Sequence, residues 1–325
     1  MINGKRLSIS TGSLDRLEML ERTLPTWLAA SEPDEIVVVD WCNAMPLRES
    51  LRRFSDPRLV IVRAIDQPYW LAAKCHNLEL QTITGEVLLR LDNDVLLGKN
   101  FFTHHPLEPG SFYAGNWRTA PTYNEVGLTG TLYVHTTDLF AVNGYNERLT
   151  SFGYDDDDLY DRLVASGLRR IDVDFETLEH VEHDFPKSYE HLKIAADLPR
   201  LKDTSAYQDL ATWCWKNQDT PEYRDLATWC SKDQPADLAL AGRQEKTYLT
   251  QESRKLSLNK PWTTRDRTTA WRTTQITRQD LECVEIASLG TTTFNNDVSF
   301  VAEDKDASPE LTSAPTTQNV NSDLL

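Results

Sequence analysis

The sequence predicts an α/β fold: a mostly parallel, Rossmann-like sheet flanked by helices, followed by a short helical region and a polar tail. Three observations predict it. The runs Ile36–Val39, Leu59–Val62 and Leu88-Leu89-Arg90-Leu91 are dominated by residues that suit strands buried on both faces. Helical patterns separate them at the lengths that right-handed crossovers require. Two of the runs stop at aspartates, the first at Asp40 and the last at Asp92-Asn93-Asp94. Ligands in open α/β sheets bind outside the carboxyl ends of the strands, so these acids belong to a site and not to the core.

Each element follows from its residues. Leu7–Ser10 reads as the first strand and Thr11-Gly12-Ser13 as a tight turn. Asp15 to Ala30 follows as a helix with Leu17, Leu20, Leu24 and Leu28 on one face, and Pro25 should kink it. Trp70 to Thr84 is a second helix stopped by Gly85. Leu128–His135 reads as a strand, Thr137–Val142 as a short helix and Asn143–Glu147 as a loop. From Leu159 onward the apolar spacing is again helical, Asp158 and Arg162 form an i,i+4 pair, and Gly167 closes the helix.

Asp155, Asp156, Asp157 and Asp158 therefore stack at a helix N-terminus, where free N–H groups favour negative charge. One or two acids would suffice as caps. Four push one another's proton affinity up, which suits one of them for work as a general base near neutral pH. Across the molecule, Asp92 and Asp94 are hard oxygen donors of the kind that hold Mg²⁺ or Mn²⁺ on a diphosphate.

Composition narrows the classes. At 325 residues the chain accommodates one large α/β domain and an appendage. A formal net charge of -16 argues against nucleic-acid or anionic-membrane partners, and an anionic nucleotide would need a bridging cation. The five cysteines, Cys42, Cys75, Cys214, Cys230 and Cys283, show no Cys-x-x-Cys pair and read as reduced thiols of a cytoplasmic protein. No signal peptide and no membrane-spanning run is expected.

Asn143-Gly144-Tyr145-Asn146-Glu147, followed by Phe152-Gly153-Tyr154 and Asp155-Asp156-Asp157-Asp158-Leu159, resembles the acceptor-side motif of GT-A glycosyltransferases. It is similar to family 2 and to the galactosyltransferase C-terminal type. Asp40, Asn77 and the Asp-x-Asp agree with it upstream, so the resemblance runs from residue 7 to about 185. It implies a nucleotide-sugar donor, UDP-linked before others, a carbohydrate or glycoconjugate acceptor, and Mn²⁺ or Mg²⁺. Thr11, Asp40, Asn77 and Asp92 would line the nucleotide side. Asp94, with Asp92 and His183, would hold the metal, and His180 is the alternative to His183. Asp156, next to Asp155, would deprotonate the acceptor hydroxyl, and the reaction would invert. The sequence departs from the family at Asp155, where Glu is usual, at Trp41-Cys42-Asn43, and at the central Asn93. Trp117 and Tyr123 are equally sugar-stacking faces or packing residues. An inactive scaffold on the same fold, or a sugar-binding protein, is the rival reading.

The domain expectation is a glycosyltransferase domain over 1–200, a helical region over 201–246 and a polar, disordered tail over 247–325. The middle region contains a duplication: Tyr207-Gln208-Asp209-Leu210-Ala211-Thr212-Trp213-Cys214 recurs as Tyr223-Arg224-Asp225-Leu226-Ala227-Thr228-Trp229-Cys230.

Overall fold

The computed structural model describes residues 1–64, 67, 70–150, 153–182, 250, 252–263 and 284–286. The duplicated segments, His183, and Cys214, Cys230 and Cys283 lie outside the described residues. The first four long-sheet strands are β1 (Leu7–Ser13), β2 (Glu35–Trp41), β3 (Leu59–Ala64) and β4 (Val87–Arg90). They alternate with α1 (Leu17–Ala29), the short α2 (Leu47–Ser50) and α3 (Ala72–Thr82). Thr11–Ser13 is not a turn: β1 runs on through it, because Thr11, Gly12 and Ser13 stay in parallel register with Val38, Val39 and Asp40.

The chain then builds β5 (Val95–Leu97), α4 (Phe101–His104), β6 (Ser111–Ala114), α5 (Tyr123–Val126), β7 (Leu132–His135) and α6 (Thr136–Ala141). It continues with α7 (Asp155–Ala165), β8 (Arg169–Asp172) and β9 (Leu178–His180), and β10 (Val284–Ile286) is added from far downstream. The main sheet has the order β10-β3-β2-β1-β4-β7-β6-β8. Pairing is parallel except where β7 meets β4 and β6, so the sheet is mostly parallel with a mixed second half. Successive strands run outward from β1 in one direction and β4 lies on its other side. The order therefore reverses between β1 and β4, where an α/β sheet opens its ligand crevice.

The apolar strands are buried on both faces, as their composition requires. Ile36, Val38, Leu59, Ile61 and Leu89 face α1, while Val37, Val39, Val60, Val62 and Leu88 face the layer with α3 and α7. Pro25 does not break α1. It sits on the exposed side of the helix. The buried stripe of α1 is Leu20, Thr23, Leu24 and Trp27, shifted from the all-leucine face that the spacing suggested.

That shift positions the site. The Thr23 hydroxyl donates to the Asn93 carbonyl (2.9 Å), the Trp27 indole to the Val95 carbonyl (2.9 Å), and Leu97 N–H to Thr26 Oγ1 (3.0 Å). One face of one helix thus holds the turn that contains Asp92 and Asp94.

A second anchor comes from the expected polar tail. Residues 252–259 are helical, and Trp262 is buried with its indole donating to the Asn143 carbonyl (2.8 Å). The Asn143 amide donates to the Thr263 carbonyl (2.9 Å), and Ser257 Oγ donates to Asp158. Arg148 reaches the Lys260 and Pro261 carbonyls and lies over the Trp262 ring. This segment holds the loop before α7 from behind.

Among the described residues no helix is long and apolar enough to cross a membrane. Trp27→Ala should cost about 3–5 kcal/mol in urea denaturation, since it empties a large core site and strips the Val95 carbonyl of its partner. A loss below about 1 kcal/mol would contradict the anchoring role given to α1.

Candidate active site

The Asp92-Asn93-Asp94 turn leaves the carboxyl end of β4 and is fixed from three sides. Asn93 turns inward and donates to the Gly12 carbonyl (3.1 Å), so the middle residue of the motif serves as a clamp. Asp94 is held by the small β5–β9 ladder: Val95 pairs with His180, and Val181 N–H donates to the Asp94 carbonyl (2.7 Å). The ladder brings His180 Nε2 to 3.7 Å from Asp94 Oδ2, with Arg16 Nη1 at 4.0 Å on the same oxygen. His180 is thus the histidine found beside Asp94.

The other side of the His180 ring is committed. Its Nδ1 lies 2.9 Å from Asn124 Oδ1, and Asn124 Nδ2 donates to the His180 carbonyl (3.0 Å). An amide oxygen only accepts, so Nδ1 carries the proton there and Nε2 faces Asp94. Burial alone would lower the His180 pKa, but the hydrogen bond to Asp94 and the charges of Asp94, Asp92 and Glu182 raise it overall. Imidazole with its second nitrogen fixed, beside two carboxylates, is a donor set suited to Mn²⁺ or Mg²⁺. A Cβ on Gly127 would come within 2.5 Å of the His180 ring, so a bare backbone is needed at that approach.

The acid cluster on α7 divides by role. Gly153 and Tyr154 both take positive φ (76° and 68°) and turn the chain sharply into the helix. Asp158 is buried and spent on Arg162 (2.7 Å), Asn146 and Ser257, so the sequence-predicted i,i+4 pair is present. Asp157 lies 3.9 Å from Arg118, whose guanidinium covers the Trp117 ring. The Tyr123 side chain lies outside the described residues. Asp155 is half-buried. Asp156 faces inward, with its Oδ1 3.6 Å from Arg90 Nη1.

Arg90 joins the two acid sets. Its Nη2 donates to Asp92 Oδ1 at 2.6 Å, so one guanidinium touches the carboxylate that follows β4 and the one that opens α7. Positions more than sixty residues apart in the chain therefore meet at one guanidinium. Burial pushes the Asp156 carboxyl well above the usual range, the charges of Asp155, Asp92 and Asp157 push the same way, and Arg90 opposes them. Asp92 is raised for the same first reason, with Arg90 again opposing.

Three residues assigned to the nucleotide side are engaged within the protein. Asn77 is fully buried: its amide donates to the Tyr145 carbonyl and to Glu147 (both 2.9 Å), and its oxygen accepts the Tyr145 N–H (2.8 Å). It shapes the 143–147 loop. Asp40 receives the Asn43 N–H and amide on one oxygen and the Leu47 N–H and Arg63 on the other. A carboxylate offers about four acceptor positions, and these are filled. Thr11 is buried within β1, with its hydroxyl 3.5 Å from the Gly12 carbonyl. The local reason is the Trp41-Cys42-Asn43 departure: Asn43 folds back on Asp40, and Cys42 adopts φ 60° to let it.

Reading the sequence assigned no role to Arg90, Arg16, Asn124, Gly127 or Gly130. Arg90 carried a visible signal, since a charge inside a strand buried on both faces has to be paired. The roles of the others arise only from contacts between distant segments.

Residues 113–184 match the family model described as the N-terminal domain of galactosyltransferase. This galactosyltransferase-like stretch carries Trp117, Asn124, the Gly127–Gly130 turn, the α7 acids and His180, and leaves Asp92 and Asp94 outside it. No curated protein matches the sequence. Among solved structures the chain is similar to the mannosyltransferase PcManGT from Pyrobaculum calidifontis in complex with GDP-Man and Mn²⁺. The identity is 15%, the TM-score 0.47, and 79% of this chain and 82% of that one are covered. It is also similar to S. aureus TarS 1-349 in complex with UDP-GlcNAc (15% identity, TM-score 0.45, covering 69% and 70%). A third is a Drosophila β1,4-galactosyltransferase 7 mutant in complex with manganese, UDP-Gal and xylobiose (13% identity, TM-score 0.40, covering 58% and 74%).

Asn77→Ala should lower stability by about 1–3 kcal/mol, because the Tyr145 N–H loses its partner inside the protein. The loss should be the same with and without nucleotide in a thermal melt. A melt unchanged without nucleotide would return Asn77 to the ligand side.

Proposed function

We propose that the protein is a metal-dependent GT-A glycosyltransferase that moves a hexose from a nucleoside-diphosphate sugar, UDP-linked before others, to an acceptor hydroxyl. The observation that carries the reading is the shared contact of Arg90 with Asp92 and Asp156, which brings the acids proposed for the cation and for the acceptor proton near each other. The galactosyltransferase-like sequence of residues 113–184 supports the same class.

The chemistry assigned to each group follows from its place. Asp94, Asp92 and His180 would hold Mn²⁺ or Mg²⁺, which supplies neutralisation of the diphosphate as it leaves. His183, assigned to the metal by resemblance, lies outside the described residues, so its part is left to experiment. Without the cation Asp92 and Asp94 would repel the donor. Asp156 takes the proton from the acceptor hydroxyl while the oxygen attacks the anomeric carbon. The new glycosidic bond forms as the bond to the diphosphate breaks, its electron pair leaving with the nucleotide, and the anomeric centre inverts. Asp155 tunes the base, since its charge is the second largest cause of the raised Asp156 pKa.

A second reading has its own observation. The acceptor positions of Asp40 are taken by protein groups and Thr11 is buried, which speaks against the nucleobase contacts that the resemblance implied. A scaffold that binds a sugar without transferring it would tolerate that loss. Incubating purified protein with Mn²⁺, UDP-, GDP- and dTDP-sugars and simple glycosides separates the two readings: released nucleoside diphosphate means enzyme, and binding without release means scaffold.

Asp156→Asn should abolish transfer while donor binding persists, and retained transfer would remove Asp156 from the base role. A raised pKa means that Asp156 takes up its proton at higher pH than an ordinary aspartate. The acid limb of kcat should therefore fall toward neutrality, and a limb in the usual aspartate range would contradict this. Excess chelator should stop turnover, with Mn²⁺ or Mg²⁺ restoring it. Asn124→Ala frees the His180 ring and should weaken Mn²⁺ binding by roughly 10- to 100-fold in calorimetry.

A further inference from the structure

Arg90 ends β4 at the middle of the sheet and is almost wholly buried. A buried guanidinium is retained only where it is paired, and here both terminal nitrogens are paired. Nη1 reaches the Gly130 carbonyl and Asp156, and Nη2 reaches Asp92 and His76 Nε2, the latter two both at 2.6 Å. Arginine has no acceptor, so His76 Nε2 must accept and its Nδ1 must carry the hydrogen. Nδ1 then donates to Glu79 Oε1 (2.8 Å), and Glu79 Oε2 accepts the Ser10 hydroxyl (2.7 Å). His76 and Glu79 are both at most 2% exposed. The string runs from Ser10 on β1 through α3 to the end of β4, and the direction of each hydrogen bond along it is fixed.

Both ends of the string are tightly packed around a glycine. A Cβ on Gly130 would lie 2.4 Å from Arg90 Nη1 and 2.3 Å from Asp92 Oδ2, and one on Gly12 would lie 2.3 Å from Cys75 Sγ and 3.2 Å from Glu79 Oε1. The function proposed above assigns nothing to His76 or Glu79, although they are among the most buried polar groups of the molecule.

We propose that Arg90 is a positioning residue for transfer: its guanidinium sets the spacing between donor-side Asp92 and acceptor-side Asp156, and His76 with Glu79 sets the guanidinium. The roles of the two acids rest on the reading above, whereas the pairing does not. Arg90 occupies one oxygen of Asp92 and lies against one of Asp156, leaving the second oxygen of each for ligands. A lysine ammonium carries the same charge but lacks the planar fork that serves two edges at once.

Two measurements test this. In the first, kcat and donor KM are compared for wild type, Arg90→Lys, His76→Leu and His76→Gln. Glutamine can accept from Arg90 and donate to Glu79, whereas leucine can do neither. Arg90→Lys and His76→Leu should each lose roughly 100-fold in kcat per folded molecule, as expected for a displaced reacting group, with donor KM within a few-fold. His76→Gln should recover most of the loss. Equal kcat for His76→Leu and wild type overturns the proposal, as does a His76→Gln no better than leucine.

In the second, urea denaturation of Arg90→Gln, Asp156→Asn and the double variant forms a cycle that needs no turnover. Arg90→Gln should destabilise less in the Asp156→Asn background, and strict additivity overturns the link. A wild type that transfers no sugar defeats the reading of the reaction, and the stability cycle still decides whether Arg90 joins the two acids.

Discussion

The site depends on one buried cation among carboxylates. Asp92, Asp155 and Asp156 crowd the carboxyl end of the sheet, and without a counter-charge their ionised forms would repel each other. Arg90 supplies that charge from beneath. It comes from a strand, so its backbone is fixed by β1 on one side and β7 on the other. The acids arrive from the turn after β4 and from the start of α7, and the guanidinium meets both.

The rest of the fold reads as support for that point. α1 holds the Asp92–Asp94 turn through Thr23, Thr26 and Trp27. α3 contributes His76, Asn77 and Glu79, three polar side chains directed into the interior, each with a partner. Tyr160 of α7 lies under the Thr129–Thr131 turn, its hydroxyl 3.0 and 3.1 Å from the two carbonyls. That turn carries Gly130 against Arg90 and Asp92. The 252–263 segment braces Asn143, Arg148 and Asp158. Polar interactions dominate because the site lies where strands end and apolar packing runs out, and buried polar groups there must be matched one by one.

The divided fate of the four aspartates shows how one sequence motif serves several physical ends. Asp158 is structural, buried against Arg162 and the downstream segment. Asp157 anchors the Arg118–Trp117 wall. Asp156 is the one directed to Arg90 and the cleft, and Asp155 raises its proton affinity. A helix turn of 3.6 residues sends consecutive side chains about 100° apart, so neighbouring acids necessarily face different surroundings.

The sequence by itself determined the central buried strands, the sheet class and the acids at the strand ends, because β-branched apolar runs and their abrupt polar stops are local signals. It also placed the α7 acid cluster at a helix start and paired Asp158 with Arg162. It did not determine which acids face each other, nor that Asp40 and Asn77 satisfy their own loops, nor that His180 lies beside Asp94. Those follow from the β5–β9 register, from Asn43 folding back on Asp40, and from Arg90 reaching across to α7. Each is a contact between segments far apart in the chain, and no periodicity along a single segment encodes such a contact. Residues 252–263 make the same point: a polar stretch gains its place from one tryptophan and from carbonyls that a distant loop happens to need.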